Sequence, residues 1–104
     1  MKGTLLRLYV HENRRHHHLL LYDWLLAQAK ALGIRGGSAF RAVAGFGRHG
    51  VLHEERFFEL TGDLTVEVEL AVTDEEAESM LARIRDEGVD LFYVRTAAEF
   101  GTIP

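Results

Sequence analysis

The sequence predicts an α+β domain in which one antiparallel four-stranded sheet carries two helices on a single face. Three observations lead there. Leu64 to Val72 alternates apolar with other residues, as a half-buried strand does. Two runs of helix-forming residues each stop at a glycine, Gly33 and Gly88, the residue that most readily closes a helix. These runs interleave with strand-like segments in the order βαββαβ.

Taken in order, Leu5 to Val10 is the first strand, with Leu6, Leu8 and Val10 on one face and Arg7 and Tyr9 on the other. A helix is predicted from about His17 to Leu32, and it is apolar on most sides, which implies burial by more than one neighbour. Ser38 to Ala44 is the second strand, with Phe40, Ala42 and Ala44 facing one way and Ala39, Arg41 and Val43 the other. In the third, Leu64, Val66, Val68, Leu70 and Val72 alternate with Thr65, Glu67, Glu69 and Ala71. Thr73 and Glu76 then form a capping box that opens a helix with Ala77, Met80, Leu81 and Ile84 on its apolar stripe. Leu91 to Arg95 is the fourth strand, and Thr96 to Pro104 has no decisive period.

The packing solution for this order is the ferredoxin-like fold, whose two βαβ crossovers place both helices on one side of the sheet. The other face is then bare, and it is expected to display Arg7, Tyr9, Arg41, Glu67 and Glu69. Two readings fit that mixture of charges: a solvated face, or a self-complementary oligomer interface in which arginines of one subunit meet glutamates of the next.

Composition narrows the function. With 104 residues and 47% hydrophobic content the chain suits a single domain over residues 1–104. No cysteine is present, so disulfides, thiolate metal sites and thiol nucleophiles are excluded and the cytoplasm is the expected compartment. The opening apolar run is too short for a signal peptide or a membrane span. A formal charge of −4 with mixed signs argues against a nucleic-acid partner.

The stretch AGFGRHG, Ala44 to Gly50, leaves the second strand and begins a connection of about 13 residues, Arg48 to Leu60, long enough to suggest function. Its glycines permit close backbone approach to a ligand, and successive N–H groups with Arg48 suit a phosphate. The same glycines also serve as a plain hinge, and spacing alone leaves both readings open.

These residues carry a resemblance. GSAFRAVAGFGRHG followed by LTVEVELAVTDEEAESMLARI resembles the core of the PII nitrogen-regulatory proteins. With HENRRHHHLLLYDWLLAQAKALGIRGG the chain is more similar still to the PII-like family catalogued as domain of unknown function 190, from LRLYVHE to FYVRT. The resemblance implies a homotrimeric signalling protein with adenine-nucleotide effector sites in clefts between subunits, without enzymatic activity. It places Gly37, Ser38, Ala39, Gly45, Phe46, Gly47 and Arg48 along the nucleotide cleft. Residues 48–63, RHGVLHEERFFELTGD, become the equivalent of the regulatory T-loop, here without a tyrosine. The glycine-rich B-loop of PII proteins, with its lysine, is replaced by DEGVDLFYVR, in which Arg95 is assigned a phosphate contact. A membrane transporter or another regulated protein is the kind of partner implied.

His16, His17 and His18, with His11, His49 and His53, offer imidazole ligands for a divalent metal. Successive residues of a helix point about 100° apart, so no more than one or two of the triplet share an ion unless the segment is extended. Exposed or capping histidines at a helix start are the plainer reading. A divalent-metal-binding trimer resembling the CutA family is the alternative function, and a ligand-free oligomerisation module is another. His53, Glu54 and Glu55 lack the nucleophile or cofactor motif that catalysis would require, and neither Ser38 nor Ser79 lies in a nucleophile elbow.

Overall fold

The computed structural model describes residues 1–46 and 64–104. Among these, β1 (Lys2–His11) is followed by a short hairpin, β2 (Arg15–His16) and β3 (Leu19–Leu20), then α1 (Leu21–Ala31), β4 (Ser38–Arg41), β5 (Thr65–Val72), α2 (Asp74–Asp86) and β6 (Phe92–Glu99). The main sheet has the order β4-β5-β1-β6 with every adjacent pair antiparallel. This is the ferredoxin-like arrangement that the βαββαβ order predicts.

Alternation decides which face is covered. Leu6, Leu8 and Val10 of β1 lie opposite Leu70, Val68 and Val66 of β5 in register, and with Val72 they are buried in one core with Leu21, Trp24, Leu25 and Ala29 of α1 and Ala77, Met80, Leu81 and Ile84 of α2. Removing such a side chain from water contributes about 1.5–3 kcal/mol, so this single layer dominates the stability of the fold. The buried positions of α1 form one stripe at helical spacing, while Ala27 and Ala31 remain exposed. Within one chain, therefore, the helix is covered along a single face, narrower than its sequence suggests.

Both helices end as their glycines predict. Gly33 (φ 84°) and Gly88 (φ 71°) are left-handed. In each case the glycine N–H and the next residue's N–H return to carbonyls of the last turn: Gly33 to Lys30 and Ile34 to Ala29, Gly88 to Arg85 and Val89 to Ile84. The capping box of α2 is complete, with Thr73 Oγ1 accepting from Glu76 N at 3.0 Å and Glu76 Oε1 accepting from Thr73 N at 2.9 Å.

Four expectations change. First, α1 begins at Leu21 rather than His17. His17 (φ 49°) and His18 (φ 67°) are both left-handed and form the two-residue loop of the β2–β3 hairpin, the signature of a type I′ turn. Leu20 stays extended, and Leu21 N donates to Arg14 O at 2.7 Å, which takes up a donor that would otherwise need a cap. Second, β4 ends at Arg41, although Ala42 N still donates to Thr65 O at 2.8 Å, and the chain bends at Val43 and Ala44. Third, Arg41 does not join the open face. It stands opposite Val66, on the helix side, and from the sheet edge it reaches Glu12 at 2.8 Å. Phe40, opposite Glu67, takes the open side instead. Fourth, the final strand runs on to Glu99, because pairing with β1 from Tyr9↔Phe92 to Lys2↔Glu99 supplies the order that local propensity does not.

Candidate functional site

The open sheet face is built by the odd positions of β1 and β5, flanked by Phe40 of β4 and Phe92 of β6. Arg7 Nε donates to Glu69 Oε2 at 3.3 Å and lies 4.0 Å from Glu67. Tyr9 packs against Phe92 with ring centroids 5.5 Å apart and the ring planes tilted by 39°. Burial, then a hydrogen bond and repulsion from Glu67, push the Tyr9 phenol above its ordinary value of 10.0. Both arginines expected on this face are paired within the chain, Arg7 with Glu69 and Arg41 with Glu12. The face has a charged centre in which Arg7 lies between Glu67 and Glu69, flanked by aromatic surface, with Phe40 54% and Phe92 43% exposed.

The residues expected at an anion site fall at the two ends of the sheet. Gly37, Ser38 and Ala39 open β4 on one edge, and Gly45 and Phe46 follow beyond its end, with Phe46 exposed. Gly37 also has a packing reason to be glycine, because a Cβ there would meet Leu70 Cδ2 at 2.5 Å and Leu26 Cδ2 at 3.1 Å. Gly47, Arg48 and the remainder of 48–63 lie outside the described residues, as do His49 and His53. Arg95 sits on β6, at the opposite edge, where it donates to Glu78 Oε2 of α2 at 2.9 Å. Three strand spacings of about 4.8 Å separate β4 from β6, roughly 14 Å, so one chain does not bring Arg95 to the Gly37–Ala39 end.

The histidines do converge, in part. His16 and His17 each stand 2.9 Å, through Nε2, from the same carboxylate oxygen of Glu87, the C-cap residue of α2. A carboxylate oxygen only accepts, so both rings donate. The bonds from His16 and then His17 hold the Glu87 carboxyl below its ordinary value. The ligand atoms of these three residues lie within 4.8 Å of one another. His18, expected with them, is not part of this cluster; its backbone carbonyl accepts from Arg15 Nη1 at 3.2 Å. His16 packs edge-on to the buried Trp24 at 4.6 Å and against His17 at 4.2 Å between ring centroids. Arg14 clamps the same hairpin to the chain after α2, donating from Nη1 to Asp90 O at 2.5 Å and from Nη2 to Asp90 Oδ1 at 2.9 Å.

Sequence reasoning missed Glu87 and Asp90, because their partners lie at least 70 residues away. One signal was present: an acidic residue at a helix C-terminus opposes the macrodipole and needs a local cation or donor to offset it.

Comparison with known proteins accords with this fold. The model of the DUF190 family, described as Uncharacterized ACR, COG1993, matches residues 3–94. A curated protein of Aquifex aeolicus (strain VF5), named UPF0166 protein, is 32% identical over 85 residues, covering 82% of this chain and 81% of its own length. Among solved structures, a Thermus thermophilus protein provisionally designated a PII-like signaling protein superposes with a TM-score of 0.58 over 93% of this chain and 85% of that one, at 17% identity. At that identity the likeness establishes the fold.

Proposed function

The chain belongs to the DUF190 family, and from that premise we propose that it is a PII-like regulatory protein: a homotrimer that binds a small anionic effector, an adenine nucleotide, between subunits and thereby changes its affinity for a regulated partner protein. Its role is signalling rather than catalysis. The observation that carries the reading is the separation of the candidate anion-binding residues onto opposite edges of one sheet. Packing open faces about a threefold axis would set the Gly37–Ala39 and Gly45–Phe46 end of one subunit beside the β6 edge of the next. The aromatic flanks of the open face favour such packing, since exposed apolar area is what association removes from water.

In this scheme the backbone of Gly45 to Arg48 cradles the phosphates and Arg95 of a neighbouring subunit adds a charge-assisted contact. Arg95 is 33% exposed and Glu78 70% exposed, and surface pairs of this kind are worth about 0–1 kcal/mol, so a phosphate displaces the glutamate at little cost. Effector binding would bias the conformations of residues 48–63, the surface presented to the partner. Linkage makes the effect reciprocal, because a partner that prefers the liganded form must tighten effector binding.

Assembly is tested by equilibrium sedimentation. The wild type is expected at three times the 11.8 kDa chain mass. The double variant Glu67→Lys, Glu69→Lys leaves Arg7 without its partners and places like charges around every copy's open face, so it is expected to sediment as a monomer. A monomeric wild type, or a trimeric double variant, overturns the arrangement.

A further inference from the structure

We propose that His16, His17 and Glu87 form a binding site for a divalent transition metal of the zinc class, open to one further ligand. Two imidazoles and a carboxylate are a donor set that such ions accept, and a three-residue site leaves a fourth position for water or an outside donor. Tetrahedral zinc with bonds of about 2.0–2.1 Å spaces its ligand atoms roughly 3.3 Å apart. Here each Nε2 is 2.9 Å from Glu87 Oε1 and all three ligand atoms lie within 4.8 Å of one another, so the ion is admitted by small rotations of side chains that already converge. Each ring then carries its proton on Nδ1 and turns the Nε2 lone pair inward.

The site is held ready from both sides. On one side, a two-residue loop with both residues left-handed, without the usual Asn or Gly, presents neighbouring imidazoles in the same direction. The indole of Trp24 fixes the His16 ring, and the Arg14 clamp on Asp90 fixes the hairpin against the chain that follows α2. On the other side, Glu87 stands at the C-terminus of α2, where the helix macrodipole adds negative potential and a cation is welcome. His16 is 20%, Glu87 35% and His17 67% exposed, which leaves an entry path from solvent. The ion would tie the segment between β1 and α1 to the end of α2, a link that hydrogen bonds alone make weakly at the surface. None of these residues belongs to the proposed anion cleft, so either site can fail without the other.

The test is a cobalt(II) titration of metal-free protein, read both by the visible absorbance of tetrahedral Co²⁺ and by quenching of Trp24, the sole tryptophan of the chain. Saturation at one ion per chain is expected, with zinc displacing the cobalt. Glu87→Gln keeps the side-chain shape and His17→Asn keeps a residue tolerant of positive φ. Each is expected to weaken binding at least tenfold, while His18→Asn binds as the wild type does. Absence of a saturable cobalt signal, wild-type affinity in either ligand variant, or loss of binding in His18→Asn overturns the proposal.

Discussion

Tyr9 stands at the centre of the open face, between Phe92 on β6 and Glu67 on β5. Burial and the neighbouring carboxylate raise its folded pKa above the unfolded value of 10.0. The native state therefore keeps this proton at pH values where the unfolded chain has released it. By linkage, the corresponding stability is fully present below about pH 10 and is lost as pH rises through the raised folded value. Tyr9→Phe lacks that dependence, so thermal melts between about pH 9 and pH 11 should show a different slope for the variant, with the tyrosine's own contribution to the decline removed. Parallel declines would mean that Tyr9 is not held in this environment. Gly3 illustrates a different single-residue constraint: a Cβ there would collide with the Val72 carbonyl oxygen, so the close approach of β1 to the end of β5 requires glycine.

At the scale of elements, α2 is the best-specified segment, since its start, its apolar stripe and its stop agree. Thr73→Ala removes the acceptor for Glu76 N and should lower stability by about 1 kcal/mol, read as a lower urea midpoint with unchanged slope. Thr73→Ser should restore most of the loss, and an unchanged midpoint in the alanine variant would contradict the cap. Helix ends, capping box and the alternation of β1 and β5 are legible because local chemistry and burial point the same way. The start of α1 is not: the histidine triplet shows no turn residue, and its left-handed pair is selected by the hairpin and the Leu21 to Arg14 hydrogen bond. Parity in β4 is hidden because Ser38 to Ala44 lacks contrast between its two faces, and only the register with β5 assigns Arg41 to the helix side. The extension of β6 is invisible for a similar reason, as Thr96 to Glu99 owe their strand to β1. Of the candidate metal ligands, His16 and His17 are readable as residue types, whereas Glu87 becomes one only through folding.

For the whole molecule, the decisive feature is a sheet with one face committed to a core and the other to internally paired charges with aromatic flanks. The βαββαβ order is sufficient to anticipate this layer arrangement, because crossover handedness leaves few alternatives. Which residues of different copies meet is not legible from one chain's periodicity, since it depends on an association that no local pattern encodes. The two proposed sites make separate demands on the assembly: the metal cluster is complete within one chain, while the anion cleft needs two. That cleft is the central claim, and calorimetric titration of the metal-free protein with ATP, ADP, AMP and cyclic AMP tests it most directly. Saturable heat with at least one adenine nucleotide, abolished in Arg48→Ala and weakened in Arg95→Ala while the trimer mass is unchanged, is the predicted result. Silence from all four nucleotides, or wild-type affinity in both arginine variants, would contradict it.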